Sequence, residues 1–352
     1  MNPGVAKRSR SGFGGLFRRR TTSARPPSAA TLPAREKEGL ARWTVFGVGL
    51  CLLCCPARAD EAFVPNQGGG DLAIVDLAAM RVEARLPLGG KPAGVAVAPD
   101  GARVYVTSPE GGFVSVIDAK ARRLEKRIEA PGLPFGVAVS PDGKKIYVAD
   151  MNGRNLTEID PQSGATRKAE VGAVPSGVAV TPDGAWIVVS ARDDDALVLL
   201  DAASLRKRAT IAVGRHPFGL AIDAAGLRAY CANVESDDLS VVDLKAQKRV
   251  ASVKVGKRPY GVALADGRIF VANQYDETVS VFDASSLAPL AVVKVGEYPE
   301  SVAASRDGAR IYVTNWFSNE LWAIDAKSLE ILGKAETGEG PRAFGAFVRT
   351  TD

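Results

Sequence analysis

Histidine and cysteine are scarce in this sequence. His216 is the only histidine among 352 residues, and three of the four cysteines, Cys51, Cys54 and Cys55, lie within the first 59 residues. A site built from several histidines is therefore excluded, and the remaining Cys231 cannot form an internal disulfide in the rest of the chain. Beyond residue 59 the sequence has no CxxC or CxxCH spacing, which excludes covalent haem attachment of that kind.

Motifs of common enzyme classes are absent as well. The chain has no GxSxG nucleophile elbow, no HExxH motif, no P-loop and no Rossmann fingerprint. Catalysis therefore has no support from motifs, and we expect no cofactor.

Positive charge is concentrated at the N-terminus. The formal net charge is +5, but residues 1–59 hold 11 Lys and Arg against 2 Glu, so residues 60–352 hold 34 basic and 38 acidic residues and a net charge of −4. A basic protein suggests nucleic acid or a membrane surface as partner. Here any affinity for anions must come from a local cluster, because the chain beyond residue 59 is acidic.

The first 59 residues have the organisation of an export signal. Residues 1–36 are rich in Arg, Ser, Pro and Gly, and we expect them to be disordered. A short basic stretch precedes a mostly apolar h-region at 43–55, and an Ala-x-Ala site ends at Ala59, so cleavage leaves Asp60 as the first mature residue. A helix over the h-region spans about 20 Å, short of the roughly 30 Å apolar layer of a bilayer. We predict export to the periplasm or secretion; an uncleaved anchor is the alternative.

Beyond residue 59 one sequence unit recurs seven times. Each unit has a Pro before a short apolar segment, then an apolar run such as IYV, then an apolar run that ends in Asp, and each landmark returns after 40 to 42 residues. The prolines are Pro92, Pro134, Pro175, Pro217, Pro259, Pro299 and Pro341, and the aspartates are Asp76, Asp118, Asp160, Asp201, Asp243, Asp283 and Asp325. Four short strands per unit at this period predict a β-propeller.

The second unit shows the expected strands of a blade. The first strand is Gly94–Val97, and the Pro99-Asp100-Gly101 turn leads into the second strand. Val114–Ile117 forms the third strand and Leu124–Ile128 the fourth, on the outside. The aspartate that closes each third strand is expected to make a local Asx turn.

The two ends of the repeat array complete one blade together. Beyond residue 59 the first repeat element is the apolar run around Phe63, which is typical of a second strand. The last repeat element is Pro341 followed by AFGAFV, which is typical of a first strand. We therefore predict an all-β, seven-bladed β-propeller, a single domain at 60–352, whose ring is closed by the C-terminal first strand joining the N-terminal blade. Small residues in the first strands leave room where blades crowd at the axis: Gly94, Gly136, Gly177, Gly219, Gly261, Ser301 and Ala343.

These repeats resemble a known family. The run IYVTN at Ile311–Asn315 and the run GVAVSPDG at Gly136–Gly143 are similar to the YVTN repeats of bacterial and archaeal propellers, which include the YncE-like periplasmic proteins. The resemblance implies a secreted or periplasmic seven-bladed propeller that acts as a binding or accessory protein. More distant seven-bladed relatives include lactonases and the propeller subunits of quinone or haem oxidoreductases.

The candidate site lies where the units differ. In a propeller the loops from fourth to first strands and from second to third strands share one face around the channel mouth. There the sequence places cations and aromatic residues that suit an anionic or flat ligand, single-stranded nucleic acid included. The candidates are His216, Arg258, Tyr260, Phe218, Phe135, Lys91, Arg192, Tyr275, Trp316 and Arg342. Alternatively, the aromatic residues that follow the prolines plug the channel or pack between blades.

Three further features have a functional and a structural interpretation. For His216 there are three alternatives: its imidazole ligates haem iron, acts as a base, or forms a hydrogen bond within a loop. The run Asp193–Asp195 either binds calcium or carries solvated loop charge. Cys231 lies in a strand, where a buried, inert thiol is the expected state and a nucleophile is the alternative.

The sequence therefore predicts a monomeric, exported propeller that binds an unknown protein or an anionic or aromatic ligand on its loop face and has no chemistry of its own. Two other functions stay open. One is an accessory role in a periplasmic quinone or haem oxidoreductase system. The other is a lactonase-like hydrolase.

Overall fold

The computed structural model describes residues 60–350, and their strands form seven four-stranded antiparallel sheets. Blade 1 holds β1 (Glu61–Asn66), β2 (Asp71–Asp76) and β3 (Arg81–Pro87); blade 2 holds β4 (Val95–Val97), β5 (Arg103–Ser108), β6 (Phe113–Asp118) and β7 (Arg123–Glu129); blade 3 holds β8 (Pro134–Val139), β9 (Ile146–Asp150), β10 (Asn155–Ile159) and β11 (Thr166–Glu170); blade 4 holds β12 (Pro175–Val180), β13 (Trp186–Ala191), β14 (Ala196–Asp201) and β15 (Lys207–Ala212). Blade 5 holds β16 (Pro217–Ile222), β17 (Arg228–Asn233), β18 (Asp238–Asp243) and β19 (Lys248–Lys254); blade 6 holds β20 (Pro259–Ala265), β21 (Arg268–Asn273), β22 (Thr278–Asp283) and β23 (Pro289–Lys294); blade 7 holds β24 (Pro299–Ala304), β25 (Arg310–Asn315), β26 (Glu320–Asp325) and β27 (Ile331–Glu336); and β28 (Val348–Arg349) completes blade 1.

The seven-bladed propeller prediction is confirmed. First strands of consecutive blades contact one another, so they line the central axis. Two single-turn 3-10 helices, Pro109–Gly111 and Arg192–Asp194, interrupt second-to-third strand loops. Within residues 60–350 no helix is long and apolar enough to cross a bilayer. The predicted leader, h-region and cleavage site lie outside the described residues.

Local turn chemistry sets the corners of each blade. Gly101 has φ +65° in the turn between the first two strands of blade 2, a conformation that glycine adopts without strain. The Asx turns are confirmed in all seven units, because each closing aspartate accepts a backbone N–H from two or three residues ahead. These aspartates are Asp76, Asp118, Asp160, Asp201, Asp243, Asp283 and Asp325.

The core lies between blades. One cluster joins Phe63 of blade 1 to Tyr312 of blade 7, and both side chains are almost fully buried. Cys231 packs in another cluster, where its thiol is buried against Val188 and Leu197. Burial raises the pKa of the Cys231 thiol to about 12. A thiolate nucleophile at neutral pH is therefore wrong for Cys231, and the buried inert thiol is confirmed.

The first strands approach one another too closely for side chains at one position. A Cβ on Gly219 would overlap the carbonyl oxygen of Tyr260 in the next blade, and a Cβ on Gly136 would overlap that of Ser176. Hydroxyl groups of the second strands bind similar axial carbonyls: the Ser190 hydroxyl donates to the carbonyl of Phe218 at 2.8 Å. Crowding at the axis, inferred from small residues, is thus confirmed.

The C-terminal segment closes the ring, but not as one continuous first strand. Pro341 bridges Asn66, and only Val348–Arg349 then pairs with β1. Between these points the carbonyls of Phe344 and Ala346 accept N–H groups from β4 of blade 2. Gly345, at φ +123°, marks the bend. The segment therefore hydrogen-bonds to both blade 1 and blade 2, and the predicted closure of the ring by a C-terminal strand that joins the N-terminal blade is confirmed.

A buried carboxylate secures that closure. Glu61 on β1 is 1% exposed and pairs with Arg349 of the closing segment at 2.7 Å. The same carboxylate pairs with Arg122 of blade 2, also at 2.7 Å. Three parts of the chain that are far apart in sequence thus meet on one side chain.

The axial crowding predicts the cost of a methyl group. We expect Gly219→Ala to lower the free energy of unfolding by about 1–3 kcal/mol, because the new Cβ forces the inner strands apart. Chemical denaturation measures the change. Ser301→Ala is the control, since Ser301 holds the corresponding place in blade 7 with a side chain. Equal stability of Gly219→Ala and the native protein would contradict the close approach.

The Asx turns predict acid sensitivity. Hydrogen bonds from the backbone N–H of Ser163 and from the Ser204 hydroxyl hold the pKa values of Asp160 and Asp201 at about 2. Folded-state values below the unfolded value of about 4 stabilise the fold above pH 4, and this stabilisation is lost as the pH falls to 2. We expect the denaturation midpoint to drop over that window. Asp201→Asn, which keeps an acceptor but cannot titrate, should show a smaller drop; a constant midpoint would refute the assignment.

Candidate functional site

Two sets of loops form one face of the ring, as the sequence predicts. The backbone N–H of Val234, in the second-to-third strand loop of blade 5, donates to the carbonyl of His216 at 2.9 Å. Equivalent bonds join Gln274 to Arg258 and Trp316 to Tyr298 in the next two blades. We call this surface the loop face.

Side chains of one blade brace the loop that enters the next. The residue before the repeated Pro has a left-handed backbone in six units: Lys91, Val174, His216, Arg258, Tyr298 and Gly340, with φ from 49° to 64°. The preceding blade supplies acceptors for three of their N–H groups: Asp195 for His216 at 2.8 Å, Asp237 for Arg258 at 2.8 Å and Asn319 for Gly340 at 2.9 Å. These bonds fix the positions of the candidate side chains.

The aromatic residues that follow the prolines form a plug on the axis. Phe135, Phe218, Tyr260 and Phe344 lie 4.9 to 6.2 Å apart between ring centroids. The three phenylalanines are buried, and the axial cavity lined by the plug and the first strands is only about 50 Å³. The plug alternative is therefore what the structure shows for Phe135 and Phe218, whose rings offer no open face to a ligand.

Carboxylates pair with most of the predicted cations. His216 Nδ1 lies 3.2 Å from Glu235, which also lies 3.8 Å from Arg258. Arg192 pairs with Asp193 at 2.8 Å. Lys91 lies apart from these residues, with its ammonium 3.4 Å from the carbonyl of Gly68. The loop face is thus less cationic than the sequence suggests.

The most buried ion pair of this face joins blade 7 to the closing segment. Glu300 is 1% exposed, accepts two hydrogen bonds from the Arg342 guanidinium at 2.6 and 2.8 Å, and accepts a third from Gln274 at 2.7 Å. The guanidinium also lies 4.3 Å from the centre of the Trp316 ring. Burial, and after it the charge of Glu300, raises the pKa of the adjacent Tyr260 phenol. Arg342 is held by internal partners rather than presented as a free cation.

An exposed group of aromatic rings lies beside this pair. Tyr298 is 5.5 Å from Tyr275 and 4.4 Å from Phe317, and Tyr275 and Phe317 are 54% and 55% exposed. The Arg258 guanidinium lies 5.3 Å from the Tyr275 ring. We call Arg258, Tyr275, Tyr298 and Phe317 the aromatic strip. A shallow depression of about 380 Å³ adjoins it at Arg258, Tyr275 and Glu235.

The acidic run Asp193–Asp195 braces loops. Asp194 accepts the backbone N–H of Ala173 at 2.9 Å, and Asp195 accepts that of His216. Among residues 60–350 no group of three or more His, Cys, Asp or Glu side chains is arranged to hold a metal ion. The structural interpretation of this run is the one that the geometry supports.

Sequence reasoning left Glu300, Gln274, Tyr298 and Phe317 out of the candidate set. A signal for Glu300 was present: it follows a repeated Pro, where five other units have aromatic or small residues and the remaining unit has Arg342. An acid at such a crowded position requires a cationic partner. Gln274 carried no comparable signal, because a loop glutamine is ordinarily exposed.

The buried pair yields a prediction that separates structural from ligand-binding roles of Arg342. Arg342→Met should lower the free energy of unfolding by about 3–5 kcal/mol, because it leaves the Glu300 carboxylate buried without a counter-ion. The double variant Arg342→Met with Glu300→Gln should recover most of that loss, since the neutral amide oxygen at position 300 still accepts the hydrogen bond from Gln274. Chemical denaturation measures both. Native stability of the single variant would mean that Arg342 has no structural role.

Comparisons with known proteins place this geometry in a family. The model of the YNCE-like beta-propeller family matches residues 114–346. No curated protein sequence matches the chain. Among solved structures, the chain is similar to Kuenenia stuttgartiensis hydrazine synthase, with 24% identity and a TM-score of 0.69 over 76% of this chain and 92% of that chain.

Two other solved structures share the fold. A functionally unknown protein from Desulfotomaculum acetoxidans DSM 771 is 14% identical, with a TM-score of 0.71 over 82% of this chain and 100% of that chain. Dihydro-heme d1 dehydrogenase NirN, in complex with DHE, is 21% identical, with a TM-score of 0.61 over 79% of this chain and 63% of that chain, less than two thirds of its length.

At these identities the solved structures establish the fold alone. The family model is more specific, because it matches 114–346, more than half of the 352 residues. The chain therefore belongs to the YncE-like β-propeller family.

Proposed function

We propose that the protein is an exported, non-catalytic binding propeller whose partner is another protein that docks on the aromatic strip. The observation that carries this proposal is the exposure of Tyr275 and Phe317, each more than half accessible, in a continuous group with Tyr298 and Arg258. Tyrosine and arginine side chains of this kind are enriched in protein interfaces and at their energetic centres.

The shape of the loop face favours a protein over an enclosed small molecule. The plug fills the axis, and the depression beside the strip is open and shallow. Small-molecule sites ordinarily bury most of the ligand in a cleft. A flat aromatic surface bordered by ion pairs instead suits a partner surface with complementary side chains.

A second candidate is an accessory role beside a periplasmic quinone or haem oxidoreductase. Two proteins of the same fold support it, a hydrazine synthase and a dihydro-heme d1 dehydrogenase. In this role the strip would contact the redox protein, so the two candidates differ only in the identity of the partner. The hydrolase alternative has no comparable observation behind it.

Site-specific photocrosslinking in intact cells tests the proposal. A benzoylphenylalanine residue at position 275 or 317 should give a discrete adduct, because both side chains project from the strip. The same residue at position 292, where Val292 is 68% exposed on the outer strand of blade 6, is the control and should give none. Mass spectrometry of the adduct identifies the partner, and a haem or quinone oxidoreductase would favour the second candidate.

The control experiments make the result decisive. Phe317→Ser should abolish the adduct formed from position 275 without changing the unfolding midpoint, because Phe317 is a surface residue. Recovery of the adduct in the osmotic-shock fraction tests export. Adducts of equal yield from positions 275 and 292, or none from either strip position, would contradict a binding site on the aromatic strip.

A further inference from the structure

Unpaired cations gather on one part of the surface, away from the loop face. They lie at the third-to-fourth strand turns of blades 4 and 5 and at the start of β17, and the outer strands β15 and β19 of these blades contact each other. The cations are Arg206, Lys207, Arg228, Lys245, Lys248 and Arg249, all exposed. With the exposed Leu227 and Val250 we call this surface the basic corner.

The basic corner keeps a net positive charge after its own carboxylates are counted. Asp201 pairs with Arg208 at 3.1 Å, and Asp223 and Asp243 accept backbone N–H groups within their turns. Asp183 lies in the adjoining turn of blade 4, where Pro182 packs against Gly226. Against these 4 aspartates stand 7 cations, Arg208 included, which leaves a net charge of +3. None of the six corner cations forms an ion pair with a carboxylate of residues 60–350. The corner is therefore cationic on a chain whose residues 60–352 carry −4.

The corresponding part of blade 2 also holds several cations, and three of them have internal partners. Arg122 binds Glu61 at 2.7 Å, Lys126 donates to the carbonyl of Pro161 at 2.6 Å, and Arg127 donates to the carbonyl of Leu88 at 2.8 Å. These contacts hold neighbouring blades together. The corner cations make no such contacts, so maintaining the ring does not explain them.

Two apolar side chains project among the corner cations. Leu227 is 56% exposed and Val250 is 45% exposed. Leu227 precedes Arg228, and Val250 follows Arg249, so each apolar group has a cation as its neighbour in sequence. Cations around exposed aliphatic groups are typical of surfaces that lie on a bilayer, where the aliphatic groups enter the boundary between headgroups and acyl chains.

We propose that the basic corner adsorbs to a membrane surface that contains anionic phospholipid headgroups. The cations bind the phosphate groups, and Leu227 and Val250 enter the headgroup region. The corner lies at the ends of the strands opposite to the loop face, so adsorption leaves the aromatic strip accessible to a partner. This inference does not depend on the proposed function, since it concerns a different surface.

A nucleic acid fits the corner less well than a bilayer. Proteins that bind single strands combine cations with exposed aromatic side chains on which bases stack. The aromatic side chain nearest the corner cations is Trp186, which is half-buried and has the Arg208 guanidinium 5.8 Å from its ring centre. Exposed Leu and Val gain nothing from a phosphate backbone. At a bilayer surface the cations contact phosphate groups, and the aliphatic side chains contact the headgroup region.

Vesicle cosedimentation tests the proposal with the protein isolated from cells. We expect the protein to sediment with phosphatidylcholine vesicles that contain phosphatidylglycerol, to remain in solution with phosphatidylcholine alone, and to be released by salt. The triple variant Lys207→Gln, Lys248→Gln and Arg249→Gln should lower the partition coefficient by about a hundredfold, at about fivefold for each cation near the surface. Leu227→Ser with Val250→Ser should lower it by about 25-fold, at about fivefold for each aliphatic side chain that is half-buried in the headgroup region.

The matched control removes the same charge elsewhere. Lys120, Lys168 and Lys327 are exposed cations of blades 2, 3 and 7. Their triple replacement by Gln should change the partition coefficient by less than about twofold, because charges far from the bilayer surface are screened. N-terminal sequencing of each preparation ensures that any basic leader is the same in all variants. Unfolding midpoints establish that each variant is folded.

Three results would overturn the proposal. Equal losses in the corner and control variants would mean that net charge alone drives binding. Unchanged binding after Leu227→Ser with Val250→Ser would remove the bilayer contact. Binding of a single-stranded oligonucleotide through the corner cations, without binding to anionic vesicles, would assign the surface to nucleic acid.

Discussion

Close contact of the seven first strands at the axis is the constraint on which the rest of the structure depends. At Gly219 the backbone of one blade lies against the carbonyl of Tyr260 in the next, with no space for a Cβ. The ring diameter is therefore set by backbone contact rather than by side chains. The residue just before each such glycine lies at the mouth of the channel, where aromatic rings meet as a plug. A narrow axis thus moves any binding site from the channel to the loops around it.

Closure of the ring explains why the loop face is not symmetric. The C-terminal segment has Ala343 where five of the other first strands have glycine, and it hydrogen-bonds to both blade 1 and blade 2. At the same junction Arg342 leaves the closing segment to reach the buried carboxylate of Glu300 in blade 7. Within residues 60–350, the buried ion pair of this face thus lies where the closing segment meets blade 7. The aromatic strip borders this pair through Trp316, next to Phe317 in the same loop.

The fold and the candidate site differ in how far sequence could predict them. The blades could be predicted from periodicity, because Pro, Gly and Asp recur at fixed places and each determines the conformation of the turn in which it lies. At Asp201, for example, the carboxylate accepts the backbone N–H of Ser204. Side-chain pairs between blades have no such periodicity. Glu300 meets Gln274 and Arg342, which lie 26 and 42 residues away, and neither spacing identifies a partner before the ring is closed. For the same reason, the sequence identified Phe135 as lying at the channel mouth but did not distinguish a ligand platform from a plug.

Net charge does not predict which surfaces of this protein are cationic, whether it is counted over the whole chain or over residues 60–352. The whole chain is basic, residues 60–352 are acidic, and within them the cations divide into two kinds. On the loop face and at blade 2 they are paired with carboxylates or bound to carbonyls, as Arg342 and Arg122 show. At the basic corner Lys248 and Arg249 have no such partners. Because an exposed charge acts over about one Debye length, roughly 10 Å, what matters to a partner is the unpaired charge within that distance. The partners proposed for the two surfaces therefore differ in chemistry: a protein that contacts the aromatic strip of the loop face, and anionic headgroups that contact the cations of the opposite corner.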